Sequence, residues 1–499
     1  MTNHELPFDQ EVDIIIVGFG GAGSAAAITA RRAGAAVIVM EKQGAHRHTP
    51  STRMSGGLVM GVNDPTLAAN YLHQCAGGMI PPELSAAWAQ RALGLIDWLH
   101  GLDPGLRLSR IGGAEHPEMP GSAGIDVYQP GGALQRLDPN GKAGTFLFEA
   151  IARAVIACGA QVLWETSAHR LIRSASGQSV IGVEAQGANG RLRIRARGGV
   201  ILSCGGFLHD ESMKRNFLRA YPMYFYGNPG NTGDGVRMAQ EVGADLWHMN
   251  QMIGRAIGNF RMEDGTDLSF IIFINPPGYV ITDRYGQRFA DESSQANLLH
   301  GFYYSLLEYD PDTGIYPRNP CYWFFDETRR KAGPLTLPFV GATAVGLYDW
   351  SADNSREIER GWIFRGNSIA EAAAAAGIES PVAAQASVDA YNQSCANGTA
   401  DPLGRPASTM VPIQSGPFYC VKLYPGGSNT TGGPRRNQQA QVLNTYGEPI
   451  EGLYAAGELG QATGMQYPAD GSNLSEAFCF GQIAAESALG LSRPEQGAC

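Results

Sequence analysis

The chain has 499 residues, 44% of them hydrophobic and 17% charged, with a net charge of −10. That length exceeds one ordinary domain, and the acidic balance argues against nucleic acid or an anionic membrane as the main partner. No apolar run reaches the roughly 18 residues of a membrane span, and the 8 cysteines form no C-x-x-C pair, which excludes a disulfide scaffold, a cysteine zinc site and an iron–sulfur cluster. The N-terminal residues carry neither a basic region nor an apolar signal core, so a reduced, cytoplasmic protein is expected.

In chain order, an apolar run from Ile14 to Val17 predicts a strand buried on both faces. Gly18, Gly20 and Gly23 follow in G-x-G-x-x-G spacing, then a helix over 22–33 ended by Gly34, a second strand over 37–40, and Glu41. Strand, glycine turn, helix, strand and acid together form the fingerprint of a dinucleotide held by its pyrophosphate. Gly18 permits the turn, Gly20 lets the backbone approach the phosphates, and Gly23 lets helix and strand pack closely. The helix N-terminus then faces the diphosphate, and Glu41 is placed to accept hydrogen bonds from a ribose diol.

A polar loop over 43–52, with His46 and His48 expected on its surface, leads to Arg53, Ser55, Gly56 and Gly57. A largely helical stretch is predicted to about residue 100. Residues 101–141, rich in Gly and Pro, read as long loops. A helix follows over 145–158, then a strand over 161–166, an alternating pair over 179–186 and 192–196, and an apolar strand from 199 ending at Gly205 and Gly206. Asn231 and Asp234 open another helix, with Asp234 near its cap. From about 256 to 412 aromatics and prolines increase, which suggests an inserted domain containing an alanine-rich helix over 369–376. A strand from Ile450 carries the chain to Gly457 and Glu458, and Gly471, Ser472 and Asn473 open a final helix over 474–489. Cys479, inside that helix, is expected to be a buried small hydrophobe.

Taken together, the N-terminal fingerprint, Ser55 to Gly57, Gly205 and Gly206, Thr232 to Gly235, Gly286 to Glu292, Thr431 to Gly433 and Tyr454 to Glu458 resemble the FAD-dependent fumarate reductase and 3-ketosteroid dehydrogenase superfamily. The resemblance implies an α/β fold with a discontinuous Rossmann-like FAD-binding domain (1–255 and 413–499) and an inserted α+β capping and catalytic domain (256–412). Substrate would lie between cap and isoalloxazine. FAD, bound non-covalently, would be held by Gly18, Gly20, Gly21, Ala22, Gly23, Glu41, Lys42, Ser55, Gly56, Gly57, Ala168, Gly205, Gly206, Asn231, Asp234, Gly457, Glu458, Ser472, Asn473 and Leu474.

Within the superfamily, fumarate-type enzymes carry histidines before the Thr-x-Gly-Gly element and an arginine in the last flavin loop. Here those places hold Ser428, Asn429, Gln466, Tyr467 and Pro468, and every histidine lies at or before residue 300. Two carboxylates without such cations would be left unpaired, at several kcal/mol each. The segment from Tyr467 to Gly471 instead resembles the final loop of 3-ketosteroid delta-1 dehydrogenases, in which a Tyr hydroxyl and a Gly amide grip a ketone oxygen. Two neutral donors on one carbonyl stabilise a developing enolate, so that a base can remove the α-proton while a hydride leaves the β-carbon. Four residues after Glu292, where relatives carry a proton-transfer Arg or Tyr, this chain has Ala296, which cannot move a proton. Tyr303, Tyr304, His300, Arg53 and Tyr322 are the candidates for that task, and Arg53 is alternatively a residue that positions flavin or a carboxylate.

The leading expectation is an FAD-dependent dehydrogenase that introduces a C=C bond beside the ketone of a cyclic, mostly apolar substrate, steroid or smaller ring, passing electrons to an acceptor the sequence does not name. Competing with it are an enoate reductase in which Arg53 or Arg435 meets a carboxylate, and a flavoprotein subunit that only relays electrons. No metal is expected.

Overall fold

The computed structural model describes residues 7–132, 143–272, 277–293, 300–336, 348–462 and 466–491. The chain divides into two compact units, one made of residues 1–213, 228–251 and 430–499 and the other of 214–227 and 252–429.

The first unit is built on an eight-stranded sheet. Its main path runs Gln441–Leu443, Pro449–Ala455, Gly190–Leu202, Gln10–Val17, Val37–Met40 and Gln161–Leu163. The central pairs are parallel, with Ile14 opposite Val37 on one side and Ile15 opposite Val200 on the other. Ile14, Ile15 and Ile16 are fully buried, as both faces of a parallel sheet must be when helices cover them. The helices Gly21–Arg32 and Ser472–Ala488 pack on each other and on this sheet. Small residues allow the approach: a Cβ at Gly481 would stand 2.3 Å from the Ala22 carbonyl oxygen. Cys479 is fully buried in this core.

Three segments depart from the sequence reading. Residues 101–141 are not simply loop, because Leu106–Gly113 and Ile125–Gly132 are strands that form a three-stranded sheet with Val59–Val62. The predicted strands at 192–196 and from 199 are one strand, Gly190–Leu202, which crosses its glycine pair by a bulge against Val12 and Ile14. Ser167–Arg173, carrying the buried Ala168, is a further strand, paired with Val180–Gly187.

The second unit holds a seven-stranded sheet whose path runs Asp267–Ile271, Met252–Arg261, Phe418–Thr430, Cys321–Asp326 and Tyr279–Thr282. Alternation along Cys321–Asp326 sends Trp323 and Phe325 into an aromatic core with Phe260, Phe270 and Trp362. Tyr322 and Phe324 go to a second core against the helices Ile369–Ala376 and Pro381–Asn397. Beside the sheet, Arg288 binds Glu292 and Asp401 at 2.6 Å, and Arg405 approaches Glu292 at 3.4 Å. Glu292 therefore serves as a structural anion, sealed between two arginines.

Candidate active site

The glycine turn needs glycine for two separate reasons. Gly18 has φ +102°, and a Cβ there would lie 2.6 Å from the Ser203 carbonyl oxygen, while one at Gly23 would lie 2.0 Å from the Gly18 carbonyl oxygen. Gly20 differs, since its Cβ position has no neighbour nearer than 3.9 Å and opens to the space an anion would take. The Gly21 N–H donates to Thr52 Oγ1 at 2.9 Å, which fixes the helix start against the following segment. Glu41 lies at the end of the second strand, where its two oxygens accept the Phe19 N–H at 3.1 Å and the Gln43 N–H at 2.8 Å. Burial raises the Glu41 carboxyl, but His48 and those backbone donors outweigh it, so its pKa lies below the ordinary value.

His48 corrects an expectation. It is not on the surface: its ring stacks on Phe19 at 5.3 Å, packs edge-on to Phe148 and Trp164, and sets Nε2 3.4 Å from Glu41 Oε2. His46 is exposed. Both rings that bury His48 lie about a hundred residues downstream, so the loop's own composition concealed them.

Behind the turn, Asn231 Nδ2 donates to Glu458 Oε2 at 2.8 Å, and Ser51 Oγ reaches the same oxygen at 3.3 Å. The Asn231 side chain fills the space a Cβ at Gly205 would need, and Thr430 Oγ1 does the same at Gly206. Burial pushes the Glu458 carboxyl up to about 7, with Ser51 and Asn231 opposing it. Lys42 and Asp234 meet each other at 2.6 Å, and Lys42 also donates to Thr232 Oγ1 at 2.8 Å. Asp234 is thus the first residue of the helix Asp234–Glu241 and a brace, while Gly233 holds the cap position. Ser55 Oγ accepts the Gly57 N–H at 3.0 Å, closing the turn that contains Gly56. Gly457 lies against Ala22, at 3.1 Å from a would-be Cβ.

The loop from Gln466 to Gly471 is held at each end and in its middle. The Gln466 N–H donates to the Cys75 carbonyl at 3.1 Å, and the Pro468 carbonyl accepts the Glu115 N–H at 2.9 Å. The same carbonyl accepts the Tyr71 hydroxyl at 2.6 Å, and that hydroxyl accepts the His116 N–H at 3.1 Å. At the far end the Gly471 carbonyl accepts the Met60 N–H at 3.3 Å. Gly471 has φ +84°, and a Cβ there would meet the Leu58 carbonyl oxygen at 2.4 Å. Among the described residues no acceptor takes the Gly471 N–H. Tyr467 is buried. Sequence reasoning missed Tyr71, Glu115 and His116, because their link to Pro468 spans most of the chain.

The helix that follows starts at Ser472, whose Oγ is buried and, among the described residues, has no hydrogen-bond partner, as is the case for Thr431 Oγ1. Beside them, Asn473 Oδ1 accepts Gln461 Nε2 at 2.6 Å, and the Gln461 carbonyl stands 3.1 Å from His248 Nδ1. His248 Nε2 faces the Met79 carbonyl at 3.2 Å. Burial holds the His248 imidazole below its usual range in spite of those two carbonyls.

These features fit a flavin nucleotide. A glycine turn with open space at Gly20 and a helix N-terminus suits the diphosphate, Glu41 keeps lone pairs for a diol, and the orphaned hydroxyls of Ser472 and Thr431 want a polar ring edge.

The remaining candidates are placed as follows. Arg53 donates to Glu149 at 3.1 Å and lies over the Phe148 ring, and Arg435 pairs with Asp245 at 3.3 Å, so both cations already hold carboxylates. Tyr322 is core. Tyr303 is buried with its hydroxyl 3.9 Å from Met223 Sδ and its ring flush against Gly254. Burial raises the Tyr303 and Tyr304 phenols above their ordinary value. His300 Nε2 accepts Arg255 Nε at 3.1 Å. Ala296 lies outside the described residues.

A family model described as FAD binding domain matches residues 13–474. The 3-oxosteroid 1-dehydrogenase of Mycolicibacterium smegmatis (strain ATCC 700084 / mc(2)155) is 27% identical, over 95% of this chain and 97% of its own length. The 4-oxocyclohexanecarboxylate 2-dehydrogenase of Sinomonas cyclohexanicum is 26% identical, over 96% of this chain and 93% of its own. The crystal structure of 3-ketosteroid delta1-dehydrogenase from Sterolibacterium denitrificans, in complex with 1,4-androstadiene-3,17-dione, superposes with a TM-score of 0.81 at 20% identity, covering 96% of this chain and 100% of that one. At that identity the likeness shows the fold.

Proposed function

The chain belongs to the FAD binding domain family and is an FAD-dependent oxidoreductase of the fumarate reductase and 3-ketosteroid dehydrogenase kind, and from that premise we propose that it desaturates a cyclic ketone beside its carbonyl. The observation that carries the reading is the Tyr467 to Gly471 loop, pinned at Gln466, Pro468 and Gly471, with an N–H at Gly471 that nothing among the described residues accepts.

In this reading the Tyr467 hydroxyl and the Gly471 N–H donate to the ketone oxygen. They strengthen as negative charge moves onto it, and loss of one such donor typically costs about 3 kcal/mol of barrier. The α-proton leaves to a base, the α,β C=C bond forms, and FAD supplies the acceptor for the hydride that leaves the β-carbon. FAD is held non-covalently in this account: His46 is exposed, and His48 is enclosed by rings with a nitrogen toward Glu41.

The test is Tyr467→Phe. Turnover on a cyclic ketone, or on the enone in reverse, drops by an order of magnitude or more while the FAD absorbance stays with the protein. Unchanged turnover would sink the carbonyl grip.

A further inference from the structure

Phe19, between the first two glycines of the turn, ties three features of the first unit together. Its N–H donates to Glu41 Oε2, and its ring lies flat on the His48 imidazole, with 5.3 Å between centroids and 12° between planes. Phe148 and Trp164 close the box edge-on at 5.3 and 5.1 Å, and His48 is 7% exposed. A phenylalanine would suit such a box. The imidazole instead puts a polar atom there: Nε2 is buried and, among the described residues, has no hydrogen-bond partner, while Glu41 Oε2 stands 3.4 Å away. A buried nitrogen left without a bond is destabilising, so packing alone does not account for a histidine beside this acid.

The Glu41 carboxylate does. A carboxylate offers about four lone-pair positions. The Phe19 N–H takes one on Oε2 and the Gln43 N–H takes one on Oε1. One is left on each oxygen, which is what a ribose diol needs. Nε2 faces Oε2 by proximity rather than through a formed bond, so it biases the carboxylate without filling the position that remains. Burial works against the Glu41 anion, and His48 comes first among the groups that oppose it. The other titratable groups nearby are held elsewhere. Lys42 pairs with Asp234, Arg53 lies across the Phe148 ring and pairs with Glu149, and Glu165 lies beside Gly44. The Cys204 thiol, pushed up to about 12 by burial, stays neutral.

We propose that His48 is a positioning residue for the cofactor's adenosine ribose, holding the Glu41 carboxylate in the pose that takes the ribose hydroxyls. The proposal rests on Glu41 as the ribose acid of the dinucleotide fingerprint and is independent of which substrate the flavin oxidises.

The experiment uses the FAD-loaded full chain. Bound FAD is displaced by competition with FAD that lacks the 2′-hydroxyl of its adenosine ribose, which gives the preference between the two. Dilution of the same protein, read by the fluorescence of released flavin, gives the FAD affinity itself. The parent prefers FAD at least tenfold. His48→Phe keeps an aromatic ring in the box, yet loosens FAD about tenfold and cuts the preference to threefold or less. His48→Gln, whose amide N–H can reach Glu41, recovers part of both. In a Glu41→Gln background, where the acid is already lost, adding His48→Phe changes FAD affinity less than threefold. With His48 gone, burial of Glu41 is less opposed, so its carboxyl takes up a proton at a higher pH than in the parent. The Phe variant therefore loosens FAD further as pH falls from about 7 to about 5, while the parent holds it. A His48→Phe protein with the parent's affinity and preference would overturn the proposal. So would one that loses FAD while the tenfold preference persists, because His48 would then be packing alone. A parent that does not distinguish the two riboses would overturn it as well, since there would be no diol grip to position, and that result would leave the ketone reading, tested by Tyr467→Phe, untouched.

Discussion

Replacing Tyr71 with Phe tests whether the Tyr467 loop works because it is held in place. The ring stays, fully buried in the first unit's core, and only the hydroxyl oxygen goes. That oxygen donates to the Pro468 carbonyl at 2.6 Å and accepts the His116 N–H at 3.1 Å. The Pro468 carbonyl keeps the Glu115 N–H at 2.9 Å, so it is not orphaned. The half-buried His116 N–H is. One lost bond costs about 1 kcal/mol and an orphaned donor a further 1–3 kcal/mol, the lower end applying where water can reach it, so the expected loss is about 2 kcal/mol. Denaturant unfolding followed by flavin fluorescence reads that loss. If the freed loop displaces the Tyr467 hydroxyl from the ketone oxygen, kcat falls about tenfold, equivalent to about 1.4 kcal/mol of barrier, with FAD content unchanged. A variant that is destabilised as expected but turns over ketone at the parent rate would refute the claim that this anchor positions the loop.

Two further outcomes follow from the cofactor cradle. Gly23→Ala places a Cβ 2.0 Å from the Gly18 carbonyl oxygen, so the turn must open and the purified variant carries little FAD; a full complement by absorbance would contradict the tight-turn argument. Glu458, raised to about 7 from 4.5 by burial, binds its proton more tightly folded than unfolded. Its contribution to stability is therefore complete below about pH 4.5 and is lost as pH rises through about 7, an effect of order 3 kcal/mol. Glu458→Gln flattens that part of the pH–stability curve, and identical curves for parent and variant between pH 5 and 8 would exclude a buried, proton-holding carboxyl.

What could be read from the sequence was local. Gly18 to Glu41 are consecutive, so strand, turn, helix, strand and acid declare themselves without any tertiary partner. The final loop was legible in the same way, as one run from Tyr467 to Gly471. The strands Leu106–Gly113 and Ile125–Gly132 were not, because only pairing with Val59–Val62 and with each other distinguishes them from a Gly- and Pro-rich loop. Gly198 and Gly199 divided a continuous strand on paper, whereas in the fold the strand runs on through a bulge between Ala196 and Gly199. His48 looked exposed among polar neighbours and is enclosed by Phe148 and Trp164. The Tyr71 anchor joins residues 397 apart.

The most direct measurement of the central claim is anaerobic bleaching of the FAD-loaded protein by cyclic ketones, with the product analysed for a new C=C bond. The account predicts loss of the flavin absorbance with a ring ketone, formation of the α,β-unsaturated ketone in equal amount, and no bleaching by succinate. Bleaching by succinate, or rapid reoxidation of the reduced protein by fumarate with no response to any cyclic ketone or enone, would contradict it.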